Sequence, residues 1–422
     1  MRGNPVIGVL ALLGGSAAAW LPLVNVAPNR LVSGQGVTLW QVWHTLAAAG
    51  LDPDQPLAWV SANWWPQQFP PLTLGLAAGL VLVAVMLAGM ALARVRPGGR
   101  PAWSGGLALA GVGTLMPGLL LLCGIYAAQV AALQSALART SLGSAYWVLS
   151  LLLWLGLTHT LQALRAGLAL RSAVWLGLVL SLFGLLAWGT CDQLSVMKEF
   201  ANHADNFAGI VWRHVQIVLL VLLPTVGLGL PLGWLVHRSV RWQRWLLALL
   251  NIIQTIPSIA LFGLLMVPLA WLAGAWPALA GWGISGIGLA PAVLALTLYS
   301  LLPVVRATQA GLNQVPAAVL QAAQGMGMRS AQILWQVQWP LAAPVILAGL
   351  RTAAVQTVGL AAVAALIGAG GLGTLMFDGL FGSAQDLVLL GVLPIVALGL
   401  LLDLGFGALA ESLRPPSQRA VG

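Results

Sequence analysis

Apolar runs of about 18 or more residues recur along the whole of this 422-residue chain, and nothing else in it restricts the backbone so strongly. In hydrocarbon every N–H and C=O must find a partner within the protein, so runs of this kind fold as membrane-crossing helices. Only 6% of residues are charged against 60% hydrophobic, too little charge to coat a soluble chain of this size. A transmembrane barrel would show alternating segments of ~10 residues, and none are visible. The expected fold class is an all-α polytopic membrane protein.

About ten spans fit the pattern, near 5–24, 70–93, 103–123, 143–164, 173–190, 215–236, 246–270, 288–305, 345–367 and 387–410. Arg2, a short apolar run and Ala17-Ala18-Ala19 resemble a secretory leader. The run from Pro5 to Val24 reaches membrane length, so an uncleaved first span is expected, with cleavage as the alternative. A wet loop over 25–69 carries Asp52, Asp54, Trp59, Trp64 and Trp65. The most polar loop, 191–214, divides the chain. Before it, residues 1–190 hold five spans without an evident motif. After it, residues 215–413 hold five spans with several, and 414–422 form a tail.

Charge bias orients the spans. With the polar stretch at Gln321–Pro344 inside and the sides alternating, fourteen of the 18 basic side chains fall inside or at the inner interface, among them Arg2, Arg94, Arg96, Arg100, Arg306, Arg329, Arg414 and Arg419. Arg30, Arg139, Lys198 and Arg213 fall outside. Both termini are then cytoplasmic, and 191–214 is extracytoplasmic. The net charge of +9 is thus a topology signal and not a nucleic-acid footprint.

Gln321–Pro344, QAAQGMGMRSAQILWQVQWPLAAP, is polar enough to leave the lipid yet lies between two apolar runs. Pro316 is placed as a first-turn proline for a short helix reaching about Gln324. Gly325 and Gly327 break it, because glycine takes the left-handed backbone that ends helices. Ser330 is expected to cap a second piece, Ile333, Leu334 and Val337 to give it an apolar stripe, and Pro340 to close it. Such a helix–Gly–helix elbow suits docking of a soluble partner.

Other constellations carry a functional and a plainer reading. Asn251, Gln254, Thr255, Pro257 and Ser258 place polar groups and a breaker inside one span. With Tyr299, Gln356 and Thr357 they are candidates to line a translocation path, or to act as hydrogen-bonding glue between helices. Arg351 and Asp403 are ionisable residues within spans, at similar depth on antiparallel helices, and are expected to pair. Alternatively Arg351 reaches the inner surface alone. The run from Gly368 to Gly373 spells GxGxxG, but it follows a membrane span and not a strand, so a close-packed helix end or hinge is expected. The 20 tryptophans lie mostly at span ends, as interfacial anchors do. His44, His159, His203, His214 and His237 show no metal spacing, no catalytic constellation is visible, and Cys123 and Cys191 are expected to be inert thiols unless bridged. The one lysine, Lys198, cannot complete a GxxxxGK loop, so any nucleotide must bind another chain.

Gln321-Ala322-Ala323, Gly327, Leu334, Val337 and Pro340 stand in the register of the EAA loop of bacterial ABC-importer permeases. With NIIQTIPSIALFGLL, LTLYSLLPVVRATQAGL and AALIGAGGLG, residues 200–410 resemble the permeases of glycine betaine/choline/carnitine (osmoprotectant) importers, and the first five spans resemble an extension found in one branch of that family. The resemblance implies a type I permease core in the inner membrane and an ATPase-coupling helix at Gln321, Ala322, Ala323, Gly325, Gly327, Met328 and Pro340. It implies as partners an ATPase dimer carrying the ATP, an extracytoplasmic substrate-binding protein and a second permease copy or paralogue. It implies no cofactor on this chain. Where the family usually has Glu, this chain has Gln321, which keeps the shape and loses the charge. The alternatives are a permease for another small solute, such as methionine or taurine, and an ion-driven secondary transporter.

Overall fold

The computed structural model describes residues 14–30, 32, 34–49, 102–135, 137–164, 168–278 and 284–412. The expected span at 70–93, residues 5–13 of the first span, Asp52, Asp54, Trp59, Trp64, Trp65, Arg94, Arg96, Arg100, Arg165 and the tail lie outside the described residues, and the first span's expected last residues, 22–24, are strand. The chain forms two compact units, Met1–Asn202 and His203–Gly422.

The first unit holds three antiparallel strands in the order β2-β1-β3, with β1 at Pro22–Ala27, β2 at Gln35–Thr38 and β3 at Arg139–Leu142. Among the described residues it also holds helices α1 (Leu39–Ala49), α2 (Ala102–Leu133), α3 (Ser144–Ala163) and α4 (Leu168–Ala187). Part of the expected loop 25–69 is therefore ordered. Thr38 and Gln41 form a reciprocal cap: the Gln41 N–H donates to Thr38 Oγ1 at 3.4 Å, and the Thr38 N–H to Gln41 Oε1 at 2.9 Å. That bond pair starts α1 where β2 ends. The sheet packs its Leu23 and Val24 with Val42, Cys123, Tyr126, Ala145 and Leu194 into one apolar core. Gly143 allows the strand-to-helix turn to touch β1, since a Cβ there would lie 2.2 Å from the Pro22 carbonyl oxygen. Cys123 and Cys191 are buried free thiols.

The stretch 191–214, expected as a loop, is helical from Ser195 onward and opens the 44-residue helix α5 (Ser195–Arg238). Its polar residues suggest a loop, but the segment carries no Pro or Gly before Gly209 and so nothing that stops a helix. Glu199 near its start is buried and accepts from Arg139 Nη1 at 3.2 Å, with Arg30 Nε at 3.5 Å. Lys198 Nζ donates to the Ala138 carbonyl at 2.8 Å. Four charges that suggested solvent thus tie β3 and the chain around it.

The second unit continues with α6 (Val240–Thr255), α7 (Ser258–Ala275), α8 (Leu289–Asn313), α9 (Ala317–Gly325), α10 (Trp339–Val363), α11 (Gly373–Phe381) and α12 (Gln385–Ser412). Where the sequence suggested one span over 246–270, the structure has two helices parted at Ile256-Pro257. Pro257 forces its neighbour into extended backbone, and Ile256 has φ −71° and ψ 129°. Packing is carried by small residues, as expected where lipid removes the hydrophobic drive between helices. On α5, Gly229 and Gly233, one turn apart, face Val304 and Thr308 of α8; a Cβ on Gly233 would lie 2.4 Å from the Thr308 Cβ. Gly311 of α8 meets Ala342, and Gly349 of α10 meets Ala307, where a Cβ would come within 2.1 Å. The core beside these crossings contains Ile217, Val221, Phe262, Leu296, Ala361 and Leu372. Among the described residues, eight helical segments are long and apolar enough to cross a membrane.

Candidate functional site

The elbow begins where Pro316 ends α8's exit turn. Pro316 stands at the N-cap of α9, with φ −61° and ψ 136°, one position earlier than the sequence suggested. Gly327 has φ 78°, and two backbone bonds close around it. Met328 N–H donates to the Ala323 carbonyl at 3.2 Å, and Gly327 N–H to Gln324 at 2.9 Å. These are the paired bonds of a Schellman end, which only a left-handed residue closes without strain. Gly325 is still helical, so Gly327 is the residue that turns the chain.

The second piece departs from expectation twice. Its N-cap is Arg329, not Ser330, because the Gln332 side chain reaches back to accept the Arg329 N–H at 2.8 Å. Pro340 does not close it. Ser330–Gln332 runs into a π-turn, Ile333–Gln338, and on into α10, so the helical path is continuous from Ser330 to Ile367. The Trp339 N–H bonds back five residues to Leu334. The wider turn accommodates a proline that has no N–H to give. Ile333 is buried and Leu334 and Val337 are half-buried, while Trp335 is exposed and stacks on Trp339 at 5.8 Å.

These bonds leave α9 packed on the π-turn by one side, with Ala323 buried and Gln321, Ala322, Gln324 and Gly325 exposed. Met326 and Gly327 are exposed and Met328 is half-buried. Gln321 is thus presented outward and free to be covered by another surface. Beneath the elbow, Leu312, Ala342 and Ile346 pack with Trp234 and Trp339, connecting its base to the spans.

The polar residues assigned to a path are brought together in pairs. Gln254 Nε2 donates to the Tyr299 carbonyl at 2.8 Å, and the Tyr299 hydroxyl donates to the Ile256 carbonyl beside Pro257. The break left by Pro257 is therefore satisfied from α8. Thr255 bonds only back within its own helix, to Ile252 at 2.7 Å. Asn251 Oδ1 accepts from Arg306 Nη2 at 2.7 Å. Ser300 and Thr357 meet at 2.8 Å, both fully buried. Ser258 and Gln356 are half-buried. This geometry joins helices α6, α8 and α10 into a polar seam.

Arg351 and Asp403 form a bidentate pair between α10 and α12. Arg351 Nε donates to Asp403 Oδ1, and Nη2 donates to Oδ2 at 2.6 Å. Both side chains stay partly open, at 45% and 35% exposure. The glycine run does not sit in a strand–turn–helix unit. A 3₁₀ turn (Ala364–Ile367) precedes it instead of a strand, and Gly368, Gly370 and Gly371 all have positive φ. Sequence reasoning missed what holds this turn. Arg213 Nε donates to the Ala369 carbonyl at 3.0 Å, and His214, fully buried, donates from Nε2 to the Val358 carbonyl at 3.1 Å. Adjacent basic residues preceding an apolar run were the available signal. Among the described residues no cluster of His, Cys, Asp or Glu suits a metal ion.

A bundle of long apolar helices, broken by an exposed elbow, defines a polytopic helical membrane protein. Residues 226–415 match the family described as binding-protein-dependent transport system inner membrane component. Residues 3–103 and 77–197 match the N-terminal domain of ABC transporter permease YehY. The osmoprotectant import permease protein OsmW of Salmonella typhimurium is 40% identical over 210 residues, covering 50% of this chain and 93% of OsmW. The glycine betaine/carnitine/choline transport system permease protein OpuCD of Bacillus subtilis is 33% identical over 227 residues, covering 53% and 92%. A chain of the inward-facing MetNI methionine ABC transporter superposes with TM-score 0.45 and 22% identity, covering 50% of this chain and 96% of that one. The chain belongs to the inner-membrane permeases of binding-protein-dependent ABC importers. It is a multi-pass membrane subunit with a transport role and not a catalytic one. Membership implies an ATPase, a substrate-binding protein and the bilayer as partners.

Proposed function

We propose that this chain is the permease of an ATP-driven importer for glycine betaine or a closely related osmoprotectant. The observation that carries the reading is the match of its second half to permeases named for osmoprotectants, glycine betaine, carnitine and choline, over nearly their full length. On this reading α9 is the coupling helix and faces the cytoplasm. Its outward face of Gln321, Ala322 and Gly325 receives the ATPase, and the Schellman end at Gly327 fixes the angle at which that face meets α10. The continuous path from the elbow through the π-turn into α10 gives a rigid route from ATPase movement to the polar seam. One five-span core is half of a pathway, so two permease chains assemble around the solute, with the two ATPase copies below them and the binding protein outside. Both termini are cytoplasmic. The half-buried Gln356 and Ser258 line the path, while the Gln254–Tyr299 and Ser300–Thr357 bonds hold its walls in place.

The test is uptake of labelled glycine betaine by proteoliposomes containing this chain, its binding protein and the ATPase. Uptake is expected only with ATP and the ATPase present. Accumulation in vesicles lacking the ATPase would overturn the reading.

A further inference from the structure

The Arg351–Asp403 pair lies deep in the membrane-spanning helices and is left partly open by the described residues of the second unit. Arg351 is the thirteenth of 25 residues in α10, about 18 Å along the axis from Trp339. Its partner comes from α12, and the exposures of 45% and 35% leave both charged groups reachable from one side. Lipid does not suit that side, because ionisable groups at this depth face a protein interior or a wet cavity. On the same side of α10, Ala348, Thr352 and Gly359 are exposed within about two turns of Arg351, with Val355 half-buried between them. A purely structural tie between two helices would be expected to be covered by them, as Ser300 and Thr357 are.

We propose that Arg351 and Asp403 form a way-station for a small zwitterion crossing the membrane; the inference rests on the importer reading above and names how that site handles its solute. The guanidinium fork matches a carboxylate in two parallel hydrogen bonds. A solute bearing a carboxylate at one end and a cation at the other takes the place of each partner in turn: its carboxylate pairs with Arg351 and its cationic end with Asp403. No covalent bond or proton moves. Four charges rearrange, and the sum is zero before and after. A solute with only one charge leaves one side chain uncompensated in a poorly solvated place, so it is disfavoured. Thr352, the next residue on α10, is exposed and supplies neutral polar surface beside the pair.

The discriminating variant is the apolar double substitution Arg351→Met with Asp403→Leu. Replacing an ion pair by apolar side chains of similar size commonly preserves packing, so a structural tie survives it. Glycine betaine uptake by the full complex is expected to fall at least about tenfold, with the permease present at wild-type level in the membrane. Uptake within about twofold of wild type overturns the proposal. A second measurement does not depend on that variant folding. In the chain carrying only Thr352→Cys, saturating glycine betaine is expected to slow labelling by a maleimide at least about threefold, while equal osmolarity of sucrose does not. Labelling that is indifferent to glycine betaine in a complex that imports it overturns the proposal and leaves the importer reading intact. A wild-type complex that imports only singly charged or neutral solutes overturns both.

Discussion

Ser300 and Thr357 share a buried hydrogen bond of 2.8 Å between α8 and α10, and its direction is set by a second bond. Thr357 Oγ1 already donates its proton to the Ala353 carbonyl at 2.7 Å, so Ser300 is the donor and Thr357 the acceptor. Thr357→Val removes the acceptor and leaves the Ser300 hydroxyl buried and unpaired. The expected loss is about 1 kcal/mol, between the small average for interhelical bonds in membranes and the cost of an orphaned buried group. Adding Ser300→Ala to Thr357→Val is expected to recover part of it. Thermal melting of the detergent-purified protein, run as a double-mutant cycle, checks both.

Gly349 and Ala307 meet where the same two helices cross. A Cβ on Gly349 would sit 2.1 Å from the Ala307 Cβ and 3.0 Å from the Pro303 carbonyl oxygen, so even alanine must push α10 away from α8. Gly349→Ala is expected to destabilise by roughly 1–3 kcal/mol through overpacking. Ala307→Gly in the same chain relieves the nearer clash and should restore part of the melting temperature.

At the elbow, Gly327→Ala places a Cβ at φ 78° with open space around it, so strain of about 1 kcal/mol is the whole effect on stability. If α9 is the coupling helix, its angle changes and ATPase co-purification with the permease drops more than the melting temperature does. Gln321→Glu is exposed and stability-neutral, within about 0.5 kcal/mol. If α9 is the coupling helix, this change is expected to raise the ratio of solute imported to ATP hydrolysed by adding a carboxylate to the face proposed to meet the ATPase.

In the first unit, Glu199 is buried with Arg139 and Arg30 on one carboxylate oxygen. Glu199→Ala leaves the Arg139 guanidinium, which is only 19% exposed, without that partner. The expected destabilisation is about 3 kcal/mol, the scale of a broken buried pair. Arg30 is far more open, so Arg30→Ala should cost under about 1 kcal/mol. Limited proteolysis of Met1–Asn202 within the intact chain distinguishes the two, with only the glutamate variant showing new cleavage.

Much of the second unit is legible in the sequence. Long helices stand where its apolar runs lie, because lipid permits few backbone solutions, except over 246–270, where Pro257 parts two helices. The elbow's first helix followed from Pro316 and the glycines, and the pairing of Arg351 with Asp403 from charge and depth. Three features were not legible. The capping box at Thr38 and Gln41 was written in the residues but lay inside a polar stretch assigned to a loop. The extended start of α5 was hidden because charged residues on a helix resemble a solvated loop until Arg139 and Arg30 arrive from 60 and more residues away. The π-turn that carries the helix past Pro340 depends on which carbonyl Trp339 reaches, and residue type alone does not specify that.

The sequence by itself determined that this chain crosses a membrane many times and that a polar elbow interrupts the spans before α10. Those are properties of composition and local order, set by the cost of exposing backbone and charge to lipid. Only the tertiary structure decided which polar groups meet. Gln254 could have faced a cavity, but it bonds Tyr299; Thr357 could have faced solute, but it is closed against Ser300. Arg351 and Asp403 were expected to pair, yet their openness on one side depends on how α10 and α12 pack, which no local pattern encodes.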